Sequence, residues 1–200
     1  ANSGAIIVSN NICKTTIMTG IYISGGGEGK GVVVSNNYCI ANGYTIEDDL
    51  SLAAGIFVGA GSGASLVEGN QIIDFKCVST AGGAINIQRN IDTTTAHNVK
   101  LYNNTILNSL GVGYRIQNST DNLTIDGGSI TNSAKYDIYY DNNITTANID
   151  NWFTVSNLSI VRNNLSFRSM WIDGVYQKKI SFLNVVSRGV DNTTNNSENY

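Results

Sequence analysis

Short apolar runs, each broken by a turn rich in Asn or Gly, recur along this chain. The first two are nearly identical, IIVSNNIC at 6–13 and VVVSNNYC at 32–39. Aligned on the residue that ends each first run, seven copies lie about 29 residues apart on average, with anchors at Val8, Val34, Val67, Leu101, Ile125, Val155 and Phe182. Helical 3.6-residue periodicity is nearly absent. A repeat of this length predicts a solenoid or another array of stacked units.

A second pattern lies between these copies, in which two aliphatic or aromatic residues alternate with one variable position. It occurs six times, as GIYI at 20–23, GIFV at 55–58, AINI at 84–87, GYRI at 113–116, DIYY at 137–140 and SMWI at 169–172. Alternation of this kind is typical of β-strands. Two interleaved patterns with a variable period indicate successive coils joined by loops of unequal length.

The turn residues explain why valine runs are interrupted by asparagines. Three positions after the anchor stand Asn11, Asn37, Asn70, Asn104 and Gly128, which we predict to turn the chain in the left-handed conformation. Two positions later an inward column is expected at Cys13, Cys39, Ile72, Ile106, Ile130 and Ile160. Stacked at the ~4.8 Å strand spacing, these columns predict an all-β, right-handed parallel β-helix of about seven coils. A propeller or sandwich is the alternative, but regular hairpin turns are not evident.

Composition narrows the classes of function. The chain has 28 Asn, 21 Gly and no Pro, which suits many tight turns between fully hydrogen-bonded strands. Its 42% hydrophobic content argues against disorder. With a net charge of -3 and no basic run, nucleic-acid binding is not expected. No apolar stretch approaches the ~18–20 residues of a membrane span, so membrane insertion is not expected either.

The three cysteines give no metal signature. Cys13 and Cys39 share the inward column of successive coils, within disulfide range, but unpaired thiols acting as small core residues are the favoured interpretation. Cys77 has no matched partner, and no Cys-x-x-Cys or His cluster occurs. The acidic run at 47–49 suits a solvated loop better than a calcium site. We therefore predict no metal and no cofactor.

The ends suggest a chain that does not stand alone. Residues 1–190 form the predicted β-helix, and 191–200 read as a polar C-terminal tail or linker. No amphipathic helix is predicted to cap either end, although a terminal coil exposes core side chains and strand edges. We expect a segment of a longer protein or one protomer of an assembly.

The Asn ladder in VSNN, EGN and YNN, with the G-I-x-I strands, resembles the right-handed parallel β-helix proteins of the pectin-lyase-like group over about residues 3–187. The low charge and uneven loops look most like bacteriophage tailspikes. That resemblance implies a homo-oligomer, commonly a trimer, located on a virion tail or otherwise extracellular, that binds and often cleaves bacterial surface polysaccharide. Polygalacturonase-type motifs are not matched, since the chain's one histidine, His97, stands in TAHNV.

The second pattern also predicts which side chains face outward. One column reads Tyr22, Phe57, Asn86, Arg115, Tyr139 and Trp171, and the columns two residues away end in Gln117, Asp141 and Asp173 on one side and Asp137 and Ser169 on the other. Aromatic faces stack on pyranose rings, while amides, Arg and carboxylates read hydroxyls. We predict substrate contacts from Arg115, Gln117, Asp137, Tyr139 and Trp171. Packing of these residues beneath a loop or a neighbouring protomer is the structural alternative.

Asp141 and Asp173 are the candidate catalytic pair. They are expected in one column on adjacent coils, with backbones ~4.8 Å apart. Two carboxylates that close separate in pKa, so that one stays protonated as an acid. Glycoside hydrolysis uses such a pair, as acid with nucleophile or base.

Three functional hypotheses remain open. The first is a tailspike-like β-helix that binds, and as an endoglycosidase hydrolyses, bacterial surface polysaccharide. The second is a non-catalytic structural or receptor-binding segment of a tail fibre or adhesin. The third is a secreted polysaccharide lyase or epimerase, which would depend on calcium. The sequence leaves enzymatic activity undecided.

Overall fold

A computed structural model describes residues 5–15, 19–23, 31–41, 53–59, 64–78, 80–88, 98–117, 122–142, 152–162, 169–174 and 179–189. Strands dominate these residues and form three sheets, in which every pairing is parallel. Sheet A contains β1 (Ile6–Ser9), β4 (Val32–Ser35), β7 (Ser65–Glu68), β10 (Asn98–Tyr102), β13 (Asn122–Asp126), β16 (Trp152–Ser156) and β19 (Lys179–Leu183).

The other two sheets follow the same order along the chain. Sheet B contains β2 (Ile12–Thr15), β5 (Tyr38–Ala41), β8 (Gln71–Ile73), β11 (Thr105–Leu107), β14 (Ser129–Thr131), β17 (Ser159–Arg162) and β20 (Val186–Gly189). Sheet C contains β3 (Thr19–Ile23), β6 (Ala54–Val58), β9 (Gly83–Gln88), β12 (Val112–Gln117), β15 (Ile138–Asn142) and β18 (Met170–Gly174). Each coil therefore runs through A, B and C before the next coil begins, and the chain is a parallel β-helix.

Strand register confirms the repeat alignment residue by residue. The seven anchors are consecutive Cα partners across sheet A, from Val8 to Phe182. The second inward column, from Cys13 to Ile160, is likewise continuous across sheet B. From coil two to coil six both columns are buried and form the centre of the apolar core. Burial of these matched aliphatic columns is the main stabilising contribution to the fold.

The corner between sheets A and B corrects one prediction. We predicted a left-handed conformation for the column that begins at Asn11, but the left-handed residue is the one before it. All seven such residues have φ between 52° and 69°, namely Asn10, Asn36, Gly69, Asn103, Gly127, Asn157 and Asn184. Asn and Gly tolerate this conformation best, so each corner turns in two residues. In the column that begins at Asn11, Gly128 does have the predicted positive φ.

The column after the left-handed residue is an internal amide ladder. Asn37 Oδ1 accepts hydrogen bonds from the backbone N and Nδ2 of Asn11, at 3.0 and 2.9 Å, and the pattern repeats from Asn37 to Asn70 and from Asn70 to Asn104. Each buried Nδ2 donates its other hydrogen to a strand carbonyl of the preceding coil, as Asn70 does to Val34 at 2.9 Å. Buried amides are thus satisfied along the axis, which removes the cost of burying them.

Cys13 and Cys39 are Cα partners on β2 and β5, and both are thiols, as favoured from the sequence. Cys39 is buried, and burial, together with the neighbouring Cys13, raises the pKa of its thiol to about 12. A thiol with so high a pKa is inert at neutral pH and packs as a small apolar side chain.

Candidate functional site

The outer column of sheet C has the predicted register from end to end. Tyr22, Phe57, Asn86, Arg115, Tyr139 and Trp171 are consecutive Cα partners. Exposure along the column is uneven. Its two ends are open, with Tyr22 51% and Trp171 38% exposed, whereas Phe57, Asn86 and Arg115 are buried. Within this column, accessible aromatic surface is therefore confined to the first coil and to coils five and six.

Coils five and six carry a compact aromatic cluster, which we define as Tyr136, Tyr139 and Trp171. The ring centroid of Tyr136 lies 5.1 Å from that of Tyr139 and 5.8 Å from that of Trp171, with interplanar angles of 48° and 47°. Arg115 lies beneath, with its Cζ 4.4 Å from the Tyr139 centroid. A guanidinium at this distance attracts the ring face and fixes its orientation. The cluster is thus a supported platform of tilted rings.

Tyr136 was not predicted, and Asp137 does not face outward as expected. In β12, Gly113 faces inward, since a Cβ there would lie 3.2 Å from Cγ2 of the core residue Ile130. Tyr114, the next residue, is also in the core. Two consecutive inward residues break the strict alternation of inward and outward side chains. The outward position therefore falls one residue earlier than the sequence predicts. In coil five that position is held by Tyr136, while Asp137 is buried.

Asp137 instead belongs to a buried ion pair at the corner between sheets B and C. Its Oδ2 lies 3.1 Å from Nε of Arg162, and both residues are buried. Burial raises the pKa of Asp137 to about 7, opposed by the charge of Arg162 and by the nearby hydroxyls of Ser133 and Ser169. Burial lowers the pKa of Arg162, opposed by the same carboxyl. The carboxyl has no surface to present to a sugar, so we do not include Asp137 among the proposed contacts.

The candidate catalytic residues Asp141 and Asp173 follow Tyr139 and Trp171 by two residues on β15 and β18. Gln117 is the Cα partner of Asp141, and Asp141 is the partner of Asp173. The register thus brings the two carboxylates to adjacent strands, although their side chains lie outside the described part of the chain. Their catalytic role stays a prediction. Gln117 is half-buried, and its buried Oε1 accepts no hydrogen bond.

Sequence reasoning missed two residues of this region, Tyr136 and Arg162. A signal for Tyr136 exists in AKYDIYY, where it precedes Tyr139 by three residues. Simple alternation instead assigns the outward position to Asp137. Arg162 follows the inward Ile160 by two residues, but the equivalent residues of coils three to five, Asp74, Asn108 and Asn132, are not buried, so no local pattern predicts its burial.

Metal binding and membrane insertion can be assessed for the described ranges alone. Within them, no group of three or more His, Cys, Asp or Glu side chains is arranged to hold a metal ion. The same ranges contain no helix with the length and apolarity needed to cross a membrane. The acidic run at 47–49, His97 and the predicted tail at 191–200 lie outside the described residues.

No protein-family model matches this sequence, and no curated protein or solved structure is significantly similar to it. The functional interpretation therefore depends on the geometry of the site and on the class of fold.

Proposed function

We propose that this β-helix binds a bacterial surface polysaccharide on the outer face of sheet C, at coils five and six. The observation that supports the proposal is the aromatic cluster of Tyr136, Tyr139 and partly exposed Trp171. Tilted aromatic rings offer apolar faces to the C–H surfaces of sugars, and Gln117, Asp141 and Asp173 are in register on the adjacent strands. A parallel β-helix is compatible with binding an extended polymer.

The charges near the cluster favour neutral or amino sugars over acidic ones. Lys135, next to Tyr136, is half-buried, whereas the two described arginines of this region, Arg115 and Arg162, are 4% and 3% exposed. Neither can pair with a uronate without a rearrangement. Asp141 and Asp173 add negative charge to the adjacent column. This arrangement disfavours the lyase or epimerase hypothesis, because those reactions act on acidic sugars.

The proposal extends to the setting that the sequence resemblance implies. We propose a tailspike-like protein that works outside the bacterial cell or on a virion tail, as a homo-oligomer or as part of a longer chain. A purely structural segment would have no need of a supported and partly exposed aromatic platform, so we place that hypothesis second.

Hydrolysis of the bound polymer is a further candidate activity, favoured by the pairing of Asp141 with Asp173 on adjacent strands. One carboxyl would protonate the glycosidic oxygen, and the other would act as nucleophile or as base toward water. Hydrolysis through a nucleophile and hydrolysis through a base both need two carboxyl groups on the same side of the sheet, and residues in register on adjacent parallel strands share a side.

Binding can be tested with oligosaccharides from a panel of bacterial capsules and O-antigens, using titration calorimetry. Trp171→Ala should weaken binding by about tenfold, as expected for the loss of one stacking platform. Trp152→Ala is the matched control, because Trp152 is 49% exposed but lies on sheet A. Equal affinities of wild type and Trp171→Ala for every ligand that binds would reject this site.

Cleavage can be tested by mass spectrometry of products released from the same polymers. Wild type would be compared with Asp141→Asn and Asp173→Asn, which remove charge but keep shape. Release that is lost in either variant would support hydrolysis at this pair. Release unchanged in both would move catalysis elsewhere, and binding without release would leave a recognition protein.

A further inference from the structure

The guanidinium of Arg162 contacts two groups of the short segment 135–137. Its Nε lies 3.1 Å from Oδ2 of Asp137, and its Nη2 donates a hydrogen bond to the carbonyl of Lys135. Arg162 is the last residue of β17 in sheet B, whereas 135–137 forms the approach to β15 in sheet C. A single guanidinium thus ties the end of a strand in coil six to the connecting turn of coil five.

Asp137 extends this tie to sheet C of the next coil. Its carboxyl interacts with the hydroxyls of Ser133 and Ser169, and its backbone N donates to the carbonyl of Ser169 at 2.9 Å. The backbone N of Ile138 donates to the same carbonyl at 3.0 Å. The segment that precedes β15 is therefore fixed from both neighbouring sheets.

The fold itself does not require charge at this corner. In coil three the corner contains Phe75 and Cys77, both buried, and in coil four it contains Ser109, whose hydroxyl donates to the carbonyl of Val112. Buried ion pairs add little stability relative to well-packed apolar residues, because desolvation opposes their attraction. An ion pair that appears in the coils bearing the aromatic cluster calls for another explanation.

Tyr136 supplies that explanation through its position. It lies between Lys135 and Asp137, the two residues that Arg162 holds, and its ring contacts the rings of both Tyr139 and Trp171. Its placement depends on the backbone of 135–137, since a shift of this turn would move the ring relative to Trp171.

We infer that Arg162, through Asp137 and the Lys135 carbonyl, is a positioning residue that sets Tyr136 between Tyr139 and Trp171 for sugar binding. The inference depends on the proposed function for its consequence in affinity, but the placement of Tyr136 can be measured without a ligand. Arg162 itself touches no sugar in this scheme.

The first test uses Arg162→Lys, which keeps the charge but replaces the planar fork by a single ammonium that cannot hold both acceptors in the same geometry. We expect glycan affinity to fall by about three- to tenfold, the range for a misplaced aromatic contact. In a Tyr136→Ala background the same substitution should have no further effect on affinity. Ile106→Val, a buried change in sheet B, controls for general destabilisation and should leave affinity unchanged.

A ligand-free readout separates this inference from the proposed function. In a Trp152→Phe background Trp171 is the single tryptophan. Arg162→Lys should then raise acrylamide quenching of Trp171 and shift its emission to the red, because Tyr136 no longer covers it. If wild type binds no glycan but this shift appears, the proposed function fails and the positioning role stands.

Two results would overturn the inference. One is unchanged Trp171 quenching and emission in Arg162→Lys, and the other is an affinity loss that persists in full in the Tyr136→Ala background. Should Arg162→Lys fail to fold, Asp137→Asn is measured in the same way, since it keeps the shape and one acceptor oxygen while weakening the tie.

Discussion

The two corners that flank sheet B both bury polar side chains, but they satisfy those side chains by different chemistry. Between sheets A and B, a column of buried asparagines passes hydrogen bonds from coil to coil, each amide both donating and accepting. Between sheets B and C, coils five and six bury an arginine with an aspartate. Neutral amides can repeat because each one satisfies the next, whereas an ion pair is complete after two residues. The first corner therefore suits a repeating scaffold, and the second suits one specialised place in it.

The largest expected effect comes from interrupting the amide ladder at its centre. Asn70→Ala removes the acceptor of the Asn37 backbone N and of one Asn37 Nδ2 hydrogen, and it removes the Nδ2 donor to the carbonyl of Val34. At ~1–3 kcal/mol for each unsatisfied buried group, the free energy of unfolding should fall by about 4 kcal/mol. Urea unfolding followed by circular dichroism measures it. Asn11→Ala, at the exposed end of the ladder, should cost about 1 kcal/mol, and equal losses at both positions would contradict a cooperative ladder.

A somewhat smaller loss is expected from breaking the buried ion pair. Arg162→Met leaves Asp137 buried without its counter-charge and should lower the free energy of unfolding by about 3 kcal/mol at pH 8. Combining it with Asp137→Leu should recover much of that loss, because an apolar pair fits a corner that elsewhere holds Phe75 and Cys77. A double variant as unstable as Arg162→Met would show that this corner needs charge for the fold.

The corners should also differ in their response to pH. The amide ladder does not titrate, but Asp137 has a pKa raised from 3.8 to about 7 by burial. Between these values the native state binds more protons than the unfolded state, so stability should fall as pH rises from about 4 to 7 and then level off. Asp137→Asn should remove this fall, as measured by melting temperature against pH. Asp126 gives the opposite sign, because hydrogen bonds from Ser156 and Asn157 lower its pKa and its contribution is lost on acidification.

The smallest expected loss of stability separates the roles of Asn36 and Asn37, the adjacent asparagines of the A–B corner in coil two. Asn36 is exposed with φ of 55°, whereas Asn37 is buried in the ladder. Asn36→Ala should cost about 1 kcal/mol because alanine resists the left-handed conformation, and Asn36→Gly should be close to neutral. Thermal unfolding of both variants checks this. A penalty for glycine as large as that for alanine would indicate that the Asn36 side chain, rather than its backbone, is needed.

The same contrast explains what the sequence could and could not predict. The coil repeat, the inward columns and the strand register follow from a pattern with period two inside a longer repeat, and these were confirmed. The left-handed residue was misplaced by one position, because two asparagines stand side by side and composition alone does not separate their roles. Asp137 is buried rather than outward-facing, and Tyr136 was missed, because the inward Gly113 and Tyr114 break the alternation. The pairing with Arg162 depends on a distance between sheets that no local pattern encodes.

Every A–B corner has two residues, although β5 ends at Ala41 and β6 begins only at Ala54, while β11 ends at Leu107 and β12 begins at Val112. Length variation is thus confined to the other two corners, and the A–B corner repeats as an invariant seam along the solenoid. Genes that recombine at this seam would exchange whole coils, with their lateral loops and outer columns, while each new junction still meets an asparagine or glycine in the left-handed conformation. Such a seam lets the outer surface of the solenoid diversify by shuffling of coils, without the fold having to be selected anew.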